Sequence, residues 1–184
     1  MKKLTILCDA DETIEDLLPY WLEELNNKYG FSVKKEDIKS WNVRAAYPTL
    51  TQQQVDEPVF NDELWSKITP IKDSSRYLQK LIEDGHDVYI VTAANYQSIR
   101  AKVNKLLELF PFFDYKKIIS TWNKQLIKGD ILIDDGIHNL VGGDYIKFLY
   151  DQPHNQYINE ENYGITRVKS WVEIYERICE IANK

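Results

Sequence analysis

Two aspartates one residue apart, Asp9 and Asp11, close the apolar run Leu4–Cys8, and a second pair, Asp134 and Asp135, closes the run Ile131–Ile133. Thr92 ends a further apolar run, Asp87–Val91, and Lys124 lies shortly after another, Lys117–Thr121. One carboxylate in such a place is ordinary, as a helix cap or a turn residue. Four on one rim repel one another strongly at low dielectric unless a cation lies among them. Oxygen-rich sites of this kind suit Mg²⁺, which takes few protein ligands and keeps its remaining positions for water or phosphate oxygens. A hard metal, a lysine, a hydroxyl and an unpaired carboxylate make a kit for phosphoryl transfer. The metal and Lys124 neutralise charge, Thr92 donates a hydrogen bond, and a carboxylate attacks to give an aspartyl-phosphate.

These residues must be brought together by the elements that carry them. The runs at Leu4–Cys8, Asp87–Thr92, Lys117–Thr121, Asp130–Asp134 and Ile146–Tyr150 read as five short strands. Between them, apolar residues recur at helical spacing: Ile14 to Leu25, Tyr77 to Ile82 after the cap candidate Asp73, Ile99 to Phe110, and Trp171 to Ile181. Strands alternating with helices predict an α/β fold, a doubly wound, Rossmann-like parallel sheet with helices on both faces. Ligands of such sheets bind beyond the carboxyl ends of the strands, where all the polar residues named above fall. The periodicity weakens before about Ile71, where Gly30, Pro48, Pro58 and Pro70 break short helical pieces. The expectation is a single domain over 1–184, with a core at about 1–14 and 72–184 and a small inserted helical cap at about 15–71.

Composition bounds the partners. The chain has 184 residues, 43% hydrophobic and 28% charged, which fits a folded globular domain. Its 29 acidic and 23 basic side chains leave a formal charge of −6, which argues against a nucleic-acid polymer as ligand. No run is long enough to span a membrane. Cys8 and Cys179 sit in unlike settings and read as buried thiols rather than a disulfide, and the short N-terminal apolar run is no signal peptide, so a cytoplasmic location is expected. His154 reads as a structural loop histidine, and Gly142-Gly143 as a turn, lacking the spacing of a phosphate-cradling loop. Aromatic residues are abundant, with five Trp and 12 Tyr. Those in the insertion, Trp41, Tyr47, Phe60 and Trp65, serve either as the core of a small subdomain or as a substrate pocket.

The four groups resemble the motifs of the haloacid dehalogenase (HAD) superfamily of phosphohydrolases. They are Asp9-Ala10-Asp11-Glu12-Thr13, Val91-Thr92, Lys124 and Ile133-Asp134-Asp135, in that order. The stretch from Lys124 to Asp135, Asp16 after the first motif, Glu57-Pro58, Ile68-Thr69-Pro70, His154-Asn155 and Arg167 to Trp171 are similar to the 5'(3')-deoxyribonucleotidase branch. That resemblance implies a HAD-type fold and a nucleotidase hydrolysing nucleoside monophosphates, with deoxyribonucleotides the expected class. It implies Asp9 as nucleophile, and Asp11 as general acid and then base. Mg²⁺ would be held by Asp9, the main-chain carbonyl of Asp11 and Asp135, with Asp134 close by, while Thr92 and Lys124 bind the phosphoryl oxygens. Glu12 stands where the branch has Gly, Leu17 where it has an aromatic residue, and Ala93 where it has a hydroxyl.

The alternative that keeps the chemistry is a phosphatase for another small phosphate ester, such as a sugar phosphate. A signalling receiver domain is excluded by motif order, since a receiver carries its acidic pair after the first strand and its phosphoacceptor after the third. A catalytically silent relative is disfavoured because every catalytic position is filled. The chain is expected to act on a small molecule, as a monomer or a homodimer.

Overall fold

A computed structural model describes residues 2–184. Its elements run β1 (Thr5–Cys8), β2 (Glu15–Asp16), α1 (Leu18–Tyr29), α2 (Gln52–Asp56), α3 (Asp62–Lys67), β3 (Thr69–Pro70), α4 (Ser74–Glu83), β4 (Asp87–Thr92), α5 (Ile99–Leu109), β5 (Ile118–Ser120), β6 (Ile131–Asp134), α6 (Ile137–Leu140), β7 (Ile146–Tyr150), β8 (Ile165–Val168) and α7 (Trp171–Ala182). Six strands form one parallel sheet in the order β5-β4-β1-β6-β7-β8. In register, Cys8 lies opposite Ile90 and Ile133, so β1, β4 and β6 end at one rim.

Alternation along each strand divides the core between the two faces. Ile6, Cys8, Ile90 and Ile133 meet Leu78 and Leu81 of α4, Leu106 and Phe110, and Trp171, Ile174 and Ile178 of α7. Leu7, Val91, Leu132 and Leu149 face the other way, onto Leu140 of the short α6 and onto Ile158 and Ile165. The second face is therefore covered largely by irregular chain where long helices were expected.

Three local expectations change. The first helix starts at Leu18, not near Ile14, because Pro19 sets the first turn and the carboxylate of Glu12 accepts from the Leu18 N–H at 2.7 Å. Asp73 does not cap α4 with its side chain. It turns the chain at φ 65°, while the hydroxyl of Ser74 donates to the Ile14 carbonyl at 2.9 Å. The sixth strand, β8, was hidden in the sequence because Thr166 and Arg167 break its apolar run; only Ile165 and Val168 are buried.

Between β1 and α4 the chain leaves the sheet, bounded by the antiparallel pair β2 and β3, where Glu15 faces Pro70 and Asp16 faces Thr69. This segment has its own core of Leu18, Leu22, Leu25, Val43, Tyr47 and Val55. A further cluster of Leu17, Leu64, Trp65 and Ile68 packs on Ala101 and Leu109 of α5.

The loop after β1 is pinned from behind. The indole N–H of the fully buried Trp171 donates to the Thr13 carbonyl at 2.9 Å, and the amide of Gln152 donates to the Glu12 carbonyl at 2.6 Å. Replacing Trp171 by Phe removes a donor and leaves a small void. It should destabilise the chain by about 2 kcal/mol in urea unfolding; an unchanged midpoint would show that the loop does not depend on this bond.

Candidate active site

The rim is built around Asp9, which follows β1 directly and is 4% exposed. Its N–H donates to the Ile133 carbonyl at 2.9 Å, tying it to β6. The chain then folds back on itself, with the N–H groups of Ile14 and Glu15 both donating to the Ala10 carbonyl at 2.9 and 3.0 Å.

Lys124 brings the separate motifs together. Its ammonium, 1% exposed, lies 2.5 Å from Asp9 Oδ1 and 2.6 Å from Asp134 Oδ2. Burial alone would lower its pKa, but Asp134 and Asp9 outweigh burial and hold it above the usual lysine range. Asp134 is fully committed, because its other oxygen accepts from the Gly136 N–H at 2.8 Å and the Asn139 amide at 3.0 Å. Asp135 differs: Oδ1 is buried with no partner, and Oδ2 lies 3.0 Å from Nε2 of His154. Burial lowers the His154 pKa to about 4, so the ring is neutral near pH 7. His154, expected as a structural loop histidine, stands inside the site beside Asp135.

Asp9, Asp134 and Asp135 each offer an oxygen within 4.8 Å of the others. Burial, only partly offset by Lys124, pushes the Asp9 carboxyl up to about 7. Burial, then repulsion from Asp9 and Asp134, raises Asp135 well above the usual carboxylate range. Crowded, dry and partly unpartnered carboxylate oxygens fit a hard divalent cation such as Mg²⁺. Asp9 and Asp135 are its natural side-chain ligands, whereas the oxygens of Asp134 are already taken.

Thr92, 1% exposed at the end of β4, has only the Ala93 carbonyl at 3.4 Å as partner, leaving its hydroxyl available. A cavity of about 560 Å³ opens beside these groups, between the rim and the insertion. Asp11, Trp21, Trp41, Phe60, Trp65 and Trp122 line it. Three of the four insertion aromatics therefore do face the site. Tyr47 does not: it is wholly buried in the insertion's own core, edge-on to Phe31, with its hydroxyl donating to Asn26 at 3.1 Å. Trp41 reaches down to the sheet side, edge-on to His138 and His154 with ring centroids 4.5 and 5.5 Å away.

Some groups escaped the sequence reading. Lys102 of α5 is 1% exposed, and its ammonium sits 2.6 Å from Asp11 Oδ2 and 3.3 Å from the Ala93 carbonyl. A lysine three residues after Ile99 and four before Leu106, on the apolar face of that helix, was the available signal. Glu15 is wholly buried, with both carboxylate oxygens unpartnered; burial and then Asp11 raise its pKa well above the ordinary value.

Glu12 explains itself in the fold. Its φ of 56° is the left-handed region that glycine adopts freely. Its side chain compensates by capping Leu18 and by an ion pair with Lys35 of the insertion, which also lies 2.5 Å from Asp16. The negative charge that Glu12 brings to this loop is met by a lysine. A second relay steadies Asp135: Arg167 donates to Asn155 Oδ1 at 2.7 Å, and the Asn155 amide donates to the Asp135 carbonyl at 3.0 Å.

Comparison with known proteins accords with this arrangement. A family model described as "5' nucleotidase, deoxy (Pyrimidine), cytosolic type C protein" matches residues 2–184. The 5'(3')-deoxyribonucleotidase of Bacillus subtilis (strain 168) is 36% identical over 180 residues, covering 97% of this chain and 99% of the relative. That of Clostridium acetobutylicum is 32% identical over 184 residues, covering 98% and 97%. Among solved structures, a haloacid dehalogenase-like hydrolase from Streptococcus pneumoniae has a TM-score of 0.68 at 14% identity, with 96% of this chain and 98% of that one covered. A HAD-hydrolase of Bacillus subtilis bound to magnesium has a TM-score of 0.60 at 15% identity and covers both chains fully.

The buried acids set a pH dependence. Asp9 and Glu12, pushed by burial to about 7, hold protons in the folded chain that the unfolded chain releases near pH 4. The stability this contributes is present at low pH and is lost as pH rises through 7. His154 acts with the opposite sign, but only below its ordinary value of about 6.5. Without divalent metal, the thermal midpoint should therefore fall between pH 6.5 and 8, and Mg²⁺ should raise it more at pH 8 than at 6.5. A metal-free midpoint that rises over this window would contradict the arrangement.

Proposed function

The chain belongs to the 5' nucleotidase, deoxy (pyrimidine), cytosolic type C family, and from that premise we propose that it hydrolyses the phosphate of deoxyribonucleoside monophosphates through a phosphoryl group carried on Asp9. It is a phosphatase of HAD fold. The observation that carries the finer reading is the position of Asp11. Two residues from Asp9, it is also a wall of the aromatic cavity, so an ester oxygen beside Asp11 places the phosphate at Asp9 and the nucleoside among the indoles.

The phosphate's negative charge is met by Lys124, and the hydroxyl of Thr92 donates to one of its oxygens. Asp9, Asp135 and the main-chain carbonyl of Asp11 would hold a Mg²⁺, which would supply further positive charge. A carboxylate oxygen of Asp9 forms the bond to phosphorus as the bond to the sugar oxygen breaks, and Asp11 gives its proton to that oxygen. Asp11, now ionised, takes a proton from a water whose oxygen attacks the same phosphorus. The bond to Asp9 breaks, releasing orthophosphate and restoring both aspartates. Lys102 holds Asp11 from the side away from solvent and so orients this proton carrier. Residues 15–71 act as a cap over the reaction, with the β2 and β3 pair at its stem. We also assign the chain to the cytoplasm, in keeping with the unpaired thiols of Cys8 and Cys179.

Orthophosphate release from a panel of ribo- and deoxyribonucleoside monophosphates with Mg²⁺ tests the reading. Asp11→Asn should slow turnover by about 10²–10⁴-fold and leave a phosphorylated chain visible in its intact mass, whereas Asp9→Asn should show neither release nor the phosphorylated chain. Undiminished release by Asp9→Asn, or a preference for sugar phosphates over every nucleotide, would overturn it.

A further inference from the structure

Trp122 belongs to no packing cluster of the fold. It lies on the loop between β5 and Lys124, on the sheet side of the cavity, and is 76% exposed. The other cavity indoles are fixed as wall: the N–H of Trp21 donates to the Val55 carbonyl at 2.7 Å, and that of Trp65 to the Val59 carbonyl at 3.1 Å. Trp41 is pinned edge-on to two histidines. Trp122 has no ring partner among the described residues, although its backbone is held by the Asn123 N–H donating to Thr121 Oγ1 at 3.1 Å. An exposed indole on an anchored loop, two residues before the lysine that faces Asp9, is a flat apolar surface with nothing of the protein on it.

We infer that Trp122 is a specificity-determining residue, the platform on the sheet side on which the substrate's nucleobase stacks opposite the cap aromatics. The inference rests on the nucleotidase reading and extends it to a residue outside the cap. Every base has a π-face, so such a platform favours a nucleotide over the same sugar phosphate without a base, and discriminates little among bases. The cavity, about 560 Å³ in volume and walled by aromatics on its other sides, has room for a nucleoside against it.

The test compares kcat/KM for deoxythymidine 5'-monophosphate with that for 2-deoxyribose 5-phosphate, which lacks only the base. In the Trp122→Ala chain the ratio of the two should fall about ten-fold, through KM for the nucleotide, and Trp122→Phe should restore most of it. An unchanged ratio in Trp122→Ala, when the wild-type chain does prefer the nucleotide, overturns the role of Trp122 alone. A wild-type chain that hydrolyses both substrates equally well overturns the nucleotidase reading and this inference with it. Because the side chain is exposed, thermal midpoints of the variants should match the wild type, separating loss of stacking from loss of fold.

Discussion

A single ammonium group, that of Lys124, stands between Asp9 and Asp134 in a place almost closed to solvent. Three neighbouring carboxylates at the ends of β1 and β6 would not tolerate joint burial without it, because like charges repel strongly where water does not screen them. The lysine pairs with two of them while carrying a single charge, and Asp134 is further stabilised by the Gly136 N–H and the Asn139 amide. Asp135 is left with a bare oxygen. Three carboxylates against one ammonium leave the site two positive charges short of balance, which is what prepares it for a divalent metal.

Everything that aims the nucleophile is tied to this centre from outside. Gln152, preceding His154 and Asn155, grips the Glu12 carbonyl, and Trp171 grips that of Thr13, so two points after β7 hold the first loop. On the other side Lys35 of the insertion meets Glu12 and Asp16. A glutamate at a left-handed backbone position costs strain on the order of 1 kcal/mol or more, yet here it links the loop, the start of α1 and the insertion. The position of the insertion beside the cavity therefore depends on the same short loop that carries Asp9 and Asp11.

The strands and motifs were legible because parallel strands buried on both faces are written as continuous apolar runs, and polar residues at their ends stand out. Asp9, Thr92 and Asp134 end neighbouring strands of one sheet, so their shared rim was legible from topology, whereas Lys124 reaches Asp9 and Asp134 from the loop after β5, which strand order does not place. What could not be read was set by contacts distant in sequence. Lys102 meets Asp11 only once α5 packs beside the first loop, and Glu15 is buried only by the pairing of β2 with β3. Tyr47 could not be told from the pocket aromatics because ring type does not tell which side of a small subdomain a ring faces. β8 was missed because an edge strand with polar Thr166 and Arg167 lacks the apolar signature of the inner ones.

Lys124 is the charge that makes the buried carboxylates compatible, and a double-mutant cycle on stability reads this directly. Urea unfolding of Lys124→Met should show a loss of about 3–5 kcal/mol, since it strands Asp9 and Asp134 as buried unpaired charges. Adding Asp134→Asn to that variant should recover at least about 1 kcal/mol, because it removes one of the stranded charges while keeping acceptors for Gly136 and Asn139. A double variant less stable than Lys124→Met alone would contradict the account.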